Sequence, residues 1–350
     1  MLYNIGARKR GETYLSEKEG ERIGTKKRGG NAMTRIAVVG GGALGLLIGG
    51  KLAASGQPVE IWTRTEEQAR LLKAEGVRIE HADGTADAVA SVEAAAVKDA
   101  PPGEDVIAFL AVKQTALKPP LLAALDRAVG RGGAIVALCN GIGHLERLEA
   151  ALPGRTLMAA VTTEAALKID ARTVRHTGRG TTWFGRAPLL GATPVRLAGP
   201  IPAETARTVE SCLSQAGFTV FLSNEMTERI LRKLLVNAVI NPLTALLRVT
   251  NGEMLATAER RSAMRAVYEE TAGILASYGL KASEELWREV IGVCERTAAN
   301  RSSMLQDALA GRATEIGSIN GAVSRLASAI GRASPWNDKL TALVKALSGG

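Results

Sequence analysis

A short apolar strand that ends in a glycine-rich turn constrains this chain more than any other feature. The run over 36–39 is β-branched and apolar, and glycines follow it at positions 40, 42 and 45. In the pattern G-x-G-x-x-G, Gly40 permits a tight turn, Gly42 lets a pyrophosphate approach the backbone, and Gly45 lets the next helix pack closely. The N-terminus of that helix would direct free N–H groups towards the phosphates. A second strand over 59–62 follows at the distance expected of a βαβ unit.

The glycine turn therefore indicates a dinucleotide site rather than a plain turn. The residues that we expect to contact the cofactor here are Gly40, Gly42, Ala43, Leu44 and Gly45. The second strand lacks the acidic residue that would bind the ribose 2′-hydroxyl of NAD, and Arg64 stands at its end instead. A guanidinium pairs with the 2′-phosphate of NADP. A solvated surface arginine is the alternative, but the position favours NADPH as the cofactor.

The pattern of secondary structure changes at about residue 223. Before it, strands alternate with helices, which predicts a twisted, largely parallel sheet with helices on both faces. Later strands of this part are expected to be antiparallel, near 156–163, 167–176, 181–185 and 194–198. After it, only helical periodicity remains. We therefore expect an α/β Rossmann-type domain over 33–223 and an all-α C-terminal domain over 224–350. Residues 1–32 are polar and glycine-rich, without the apolar core of a signal peptide, and are expected to be a disordered extension or to lie upstream of a true start at Met33.

Composition argues against several classes of protein. Three cysteines without C-x-x-C spacing indicate a reducing cytoplasm, and three scattered histidines give no metal-ligand spacing. The net charge of +9 is compatible with nucleic acid. However, no basic stripe with interleaved aromatic residues occurs, so anionic small molecules and a basic tail are the preferred interpretation. No apolar run reaches the roughly 18 residues of a membrane span. We expect no metal, nucleic acid or membrane partner, and either a monomer or a homodimer.

Polar residues in apolar surroundings mark an expected substrate cleft. Lys113 and Asn140 each follow an apolar strand, and open α/β sheets bind ligands beyond the carboxyl ends of their strands. Further along the chain, Lys233, Asn237 and Asn241 are spaced i, i+4, i+8 on one face of an apolar helix. Burying these groups is costly unless they have partners. They either form hydrogen bonds within the protein or line a polar cleft, and the spacing alone does not decide between the two.

These motifs together resemble the ketopantoate reductase (2-dehydropantoate 2-reductase) family. The resemblance runs in the family's order from about residue 34 to the C-terminus. The residues that carry it include the glycine loop, Trp62-x-Arg64, Lys113, Asn140-Gly-x-Gly143, Lys233-Leu-x-Val-Asn237-x-x-x-Asn241-Pro, Ser302-Ser303-Met-x-x-Asp307 and Thr314-Glu315. The resemblance implies reduction of the C2 ketone of 2-dehydropantoate to (R)-pantoate with NADPH, on the route to pantothenate and coenzyme A.

The resemblance also implies roles for individual residues. Lys233 matches the general acid that protonates the forming alkoxide, and Glu315 matches the glutamate that bonds the hydroxyl region of the substrate. The other substrate-binding positions that match are Asn140, Asn237, Asn241 and Ser303. The further cofactor-binding positions are Arg64, Lys113, Asn140 and Glu315. A lysine in an apolar cleft has a lowered pKa, whereas a nearby glutamate acts in the opposite direction.

Two other functions stay open at this point. One is an NADPH-dependent reductase of another branched 2-oxo acid, which would use the same chemistry. The other is a non-catalytic NADPH-binding sensor. A sensor would be expected to have lost Lys233 or Glu315, and both are present.

Overall fold

The first half of the chain forms an eight-stranded sheet and a smaller four-stranded sheet. The computed structural model describes residues 34–191 and 194–347, so the extension expected over 1–32 lies outside the described residues. The described strands, in chain order, are β1 (Arg35–Val39), β2 (Val59–Thr63), β3 (Val77–Glu80), β4 (Ala86–Ala90), β5 (Glu93–Ala96), β6 (Val106–Leu110), β7 (Ala134–Ala137), β8 (Thr156–Thr162), β9 (Ala165–Lys168), β10 (Thr173–Gly178), β11 (Thr181–Arg186), β12 (Pro188–Leu189), β13 (Arg196–Leu197) and β14 (Thr219–Leu222).

Helices surround the large sheet and then make up the rest of the chain. The described helices are α1 (Ala43–Ala54), α2 (Glu66–Glu75), α3 (Pro119–Ala128), α4 (His144–Ala151), α5 (Ala203–Gln215), α6 (Met226–Leu247), α7 (Ala258–Ala276), α8 (Glu284–Arg296), α9 (Ser303–Leu309), α10 (Asn320–Ala329) and α11 (Pro335–Leu347). In the described part of the chain, no strand follows β14. The Rossmann-type half and the helical half are thus as expected, and the boundary at 223/224 stays a prediction.

The large sheet is parallel at its centre. Its strand order is β14-β11-β8-β7-β6-β1-β2-β5. Strand β1 pairs in parallel with β2 on one side and β6 on the other, so the glycine turn leaves the middle of the sheet. The antiparallel arrangement expected after residue 156 is only partly correct. Strand β8 is antiparallel to β11 but parallel to β7, and β11 is parallel to β14.

The small sheet, of order β4-β3-β10-β9, corrects a second expectation. The single strand expected over 167–176 is a hairpin of two strands, β9 and β10. Asp170 closes the turn between them, because its Oδ1 accepts hydrogen bonds from the backbone N–H groups of Arg172 at 2.8 Å and Thr173 at 2.7 Å. The hairpin packs against α1, which also packs against β1 and β2 of the large sheet.

Strand β1 shows why the central strands read as continuous apolar runs. Its side chains alternate between two cores: Ile36 and Val38 pack in one cluster, and Ala37 and Val39 in the other. Both faces of a strand at the centre of a parallel sheet are covered, so no polar residue alternates with the apolar ones. The cluster that contains Ala37 and Val39 extends into the helical half.

Helix α6 runs through that helical core and contains Pro242. Proline has no N–H, so the carbonyl of Ala238 loses its intrahelical donor. The side chain of Asn320 replaces it, because its Nδ2 donates to the Ala238 oxygen at 2.9 Å. By length and composition α6 could span a membrane, although 67% of its apolar window is buried inside the protein. The sequence predicted this apolar helix, but polar residues such as Lys233 and Asn237 interrupt its apolar run, so a membrane span was not expected here.

Candidate active site

The glycine turn between β1 and α1 has the geometry of an anion-binding loop. Gly40 has a φ of +117°, and a Cβ there would lie 2.7 Å from the carbonyl oxygen of Ala111. A Cβ on Gly45 would lie 1.8 Å from the oxygen of Gly40, so the helix packs directly on the turn. At Gly42 no atom lies within 4 Å of the Cβ position, and no side chain caps the N-terminus of α1. The open, uncapped helix end fits a pyrophosphate group.

The other residues predicted for the cofactor lie around this turn. Ala43 and Leu44 are the first two residues of α1. Arg64 directly follows β2 and is exposed. Among the described residues, the guanidinium of Arg64 has no hydrogen-bond or ion-pair partner. A free cation at this strand end fits an anionic group on the adenosine ribose.

Lys113, predicted directly after an apolar strand, follows β6 and joins the two halves of the chain. Its Nζ lies 2.6 Å from Oδ1 of Asp307 in α9. The same oxygen accepts a hydrogen bond from Nε of Arg312 at 3.1 Å. Asp307 is buried, so these two cations compensate its charge.

Asn140 and Glu315 also meet across the two halves. Nδ2 of Asn140 donates to Oε2 of Glu315 at 3.2 Å, and the backbone N–H of Gln114 donates to Oε1 at 3.1 Å. Burial raises the pKa of Glu315, while these two hydrogen bonds act in the opposite direction. The turn after Asn140 requires glycine, because a Cβ on Gly141 would lie 2.1 Å from the oxygen of Ser318.

Gln114 is a site residue that the sequence analysis missed. It is only 2% exposed, and every polar atom of its side chain has a partner. Its Nε2 donates to the oxygen of Asn140 at 2.6 Å and lies 3.0 Å from Nδ1 of His144, while its Oε1 accepts from Arg147 at 2.8 Å. In the sequence, only its position next to Lys113 could have indicated a role in the site. Its hydrogen-bond partners follow 26 or more residues later, so no local motif links them.

Lys233 lies half-buried on α6, with its Nζ donating to the carbonyl oxygen of Thr162 at 3.1 Å. Burial lowers the pKa of Lys233 to about 8, and the negative charge of Glu315 opposes that shift, with a smaller effect from Cys139. The structure thus brings Lys233 within the electrostatic reach of Glu315, although 82 residues separate them in the sequence.

Three further predicted residues lie on α6 and α9 without polar partners. Asn237 is half-buried and Asn241 is buried, and neither side-chain amide forms a hydrogen bond to a described residue. Ser303, the first residue of α9, is exposed and likewise unbonded to the described residues. Its neighbour Ser302 is buried, where its Oγ accepts from Thr244 at 2.7 Å and caps α9. The binding roles of Asn237, Asn241 and Ser303 stay predictions.

The arrangement combines an open anion loop with a desolvated ammonium and a buried carboxylate. A cation of lowered pKa beside a cleft can both stabilise a developing negative charge and donate a proton. In the described part of the chain, no group of three His, Cys, Asp or Glu side chains could hold a metal ion. The three cysteines are free and buried.

Comparisons with known proteins agree with this geometry. The profile described as ketopantoate reductase PanE/ApbA matches residues 36–188, and the profile of its C-terminal part matches residues 225–348. The 2-dehydropantoate 2-reductase of Bacillus subtilis is 31% identical, over 89% of this chain and 97% of its own. That of Archaeoglobus fulgidus is 32% identical, over 90% of this chain and 98% of its own.

Solved structures extend the similarity to the fold. A PanE/ApbA family ketopantoate reductase from Ralstonia eutropha has a TM-score of 0.78 and 25% identity, and the match covers 90% of this chain and 98% of that one. A D-mandelate dehydrogenase, solved with NADH and anilino(oxo)acetate, has the same TM-score, identity and coverage. These matches confirm the resemblance in the sequence: the chain belongs to the ketopantoate reductase family.

Proposed function

We propose that this protein is an oxidoreductase that reduces 2-dehydropantoate to (R)-pantoate with NADPH. The observation that carries the proposal is the half-buried Lys233, which is held by the oxygen of Thr162, has its pKa lowered to about 8 and lies within the electrostatic reach of Glu315. The 2-dehydropantoate 2-reductases to which the chain is similar support the choice of substrate. We propose a cytoplasmic location, which the free and buried cysteines support.

The residues around the glycine turn fit the cofactor. The uncapped N-terminus of α1 and the space at Gly42 would hold its pyrophosphate, and Arg64 would hold its 2′-phosphate. Lys113 reaches the same edge of the sheet while bonded to Asp307. When bound, the nicotinamide supplies the hydride that the C2 carbonyl of the substrate accepts.

Lys233 supplies the proton. As C2 is reduced, negative charge develops on the ketone oxygen, and the ammonium of Lys233 stabilises that charge and protonates the oxygen. A pKa of about 8 leaves the side chain largely protonated at neutral pH, yet makes it a stronger acid than an exposed lysine. The oxygen of Thr162 orients the ammonium through its hydrogen bond. Solvent then restores the proton of Lys233.

Glu315 and Asn140 would orient the substrate rather than react. Their side chains are already joined by a hydrogen bond, and Gln114 fixes the other carboxylate oxygen. A carboxylate held in this way is ready to accept a hydrogen bond from a substrate hydroxyl. The unbonded amides of Asn237 and Asn241, on the same helix face as Lys233, are suited to bind further polar groups.

A reductase of another 2-oxo acid is the second candidate. The observation that favours it is the similarity to the D-mandelate dehydrogenase, which was solved with NADH and anilino(oxo)acetate, a carboxylate whose neighbouring amide carbonyl has the position of the ketone in a 2-oxo acid. The general-acid role of Lys233 would be the same for either substrate, so only the groups around it distinguish the two.

Turnover of a panel of 2-oxo acids tests the proposal. We expect NADPH oxidation to be fastest with 2-dehydropantoate, compared with 2-oxoisovalerate, which lacks its hydroxymethyl group, and with 2-oxo-2-phenylacetate. A higher kcat/KM for either comparison compound would replace the proposed substrate. Binding of NADPH without turnover of any of them would favour the sensor.

A further inference from the structure

Lys168 reaches the glycine turn from outside the large sheet. It is the last residue of β9, and its Nζ donates to the carbonyl oxygen of Gly41 at 2.7 Å. The same oxygen accepts a second hydrogen bond, at 2.9 Å, from Nε2 of Gln68, which also donates to the oxygen of Ala171 at 2.7 Å. These bonds hold the β9–β10 turn against the loop that precedes α1. The small sheet therefore contributes a cation to the edge of the cofactor site.

A second cation, Arg64, precedes by four residues the Gln68 that bonds the same Gly41 oxygen, and it lies within the electrostatic reach of Lys168. Burial lowers the pKa of Lys168, and the positive charge of Arg64 lowers it further, whereas Asp170 raises it. The carboxylate of Asp170 accepts the backbone N–H groups of its own turn. Within residues 34–191 and 194–347, neither Lys168 nor Arg64 forms an ion pair with a carboxylate. Two like charges held together in this way are stabilised when an anion binds both.

The position of Lys168 and Arg64 indicates which phosphate group of the cofactor they would bind. The open N-terminus of α1 already provides N–H groups for the pyrophosphate. Arg64 directly follows β2, and in this fold the residue at the end of that strand contacts the adenosine ribose. The anion nearest to that ribose is the 2′-phosphate, which NADPH carries and NADH lacks.

We propose that Lys168 and Arg64 together bind the 2′-phosphate of NADPH, one from each sheet. The inference rests on the proposed function, in which NADPH is the cofactor. It adds Lys168 as a residue that determines cofactor specificity. The sequence pattern did not indicate this role, because 127 residues separate Lys168 from Gly41. In this arrangement the β9–β10 hairpin helps to select the cofactor.

Calorimetric titration of NADPH and NADH into Lys168→Met tests the proposal without using turnover. Methionine keeps most of the length of the side chain and removes the charge. We expect the Kd for NADPH to rise about 10-fold or more, the range of a charge-assisted hydrogen bond, while the Kd for NADH stays unchanged. Lys168→Arg should retain most of the NADPH affinity. In Lys168→Met/Arg64→Met, the preference for NADPH over NADH should disappear.

Lys73→Met is the matched control, because it removes the same charge from the same half of the chain. Lys73 is exposed on α2 and pairs with Glu93 at 2.8 Å, so its loss should leave both Kd values unchanged. A wild-type protein without preference for NADPH would contradict the proposed cofactor. A wild-type protein that prefers NADPH, combined with equal losses for both cofactors or no loss in Lys168→Met, would overturn only the role of Lys168. Equal melting temperatures would show that the variants are folded.

Discussion

At the scale of the residue, two opposing effects set the acidity of Lys233. Burial removes water from the ammonium and favours its neutral form, whereas the carboxylate of Glu315 favours the charged form. Burial is the larger effect, so the pKa falls to about 8 rather than staying near 10.5. Both signs were predictable from the residue types in the sequence. Their balance was not, because it depends on how far the fold buries each group.

The acidity of Lys233 predicts how activity depends on pH. The general acid must be protonated, so kcat/KM for 2-dehydropantoate should fall as the pH rises through about 8. Replacing Glu315 with Gln removes the charge that holds the proton on Lys233, so the decline should move to lower pH. Rates measured across pH with saturating NADPH check both statements. If kcat/KM of Glu315→Gln declined at a higher pH than in the wild type, the sign of the interaction between Glu315 and Lys233 would be wrong.

Removal of the Lys233 ammonium should act mainly on kcat. Lys233→Ala should lower kcat by roughly 10²- to 10⁴-fold, the usual contribution of a general acid, while the Kd for NADPH stays near that of the wild type. Arg232→Ala is the control, because Arg232 is the preceding cation on α6 and forms ion pairs with Glu228 and Glu289. It should keep a near-normal kcat. A near-normal kcat in Lys233→Ala at saturating substrate would assign the proton to another group.

At the scale of the element, local patterns predicted what one helix or one turn determines. The spacing of Lys233, Asn237 and Asn241 places them on one face of α6 because the helical repeat alone decides it. The roles of Gln114 and Lys168 could not be predicted, because no single helix or turn determines them. Their partners come from other elements, and no local pattern records which elements the topology brings together. The strand expected over 167–176 was wrong because Asp170 closes a turn that apolar periodicity does not reveal.

Gln114 should support both the stability and the substrate site of the protein. Gln114→Leu buries no polar side chain of its own and leaves the buried His144, the half-buried Asn140 and the exposed Arg147 without their partner, which should destabilise the fold by about 1–3 kcal/mol. The displaced Asn140 should also raise the KM for 2-dehydropantoate. Denaturant unfolding and steady-state kinetics measure the two effects. Gln215→Leu is the control: Gln215 is exposed at the end of α5 and its side chain bonds only Ser211 among the described residues, so both quantities should stay close to those of the wild type.

At the scale of the whole molecule, the two halves share one apolar core. Ala37 and Ile135 of the large sheet belong to the same buried cluster as Leu231 and Met264 of the helical half. The polar contacts of the site, such as Lys113 with Asp307, also cross between the halves. The sequence predicted two domains from the change in periodicity. It did not predict how far their cores merge, because apolar periodicity does not reveal which surface each face covers.

The shared core predicts that both halves unfold together. Exposure of either half would also expose apolar surface of the other, so calorimetry should give one transition whose van't Hoff and calorimetric enthalpies agree. NADPH at about 100 times its Kd should stabilise the folded state by about 2.7 kcal/mol and move that whole transition upwards. Lys233→Ala, which leaves the glycine turn intact, should show the same shift. Two separate transitions, only one of which responds to NADPH, would mean that the helical half unfolds independently of the sheet. The contacts of Glu315 and Asp307 with the sheet would then be too weak to couple cofactor binding to the stability of the substrate site.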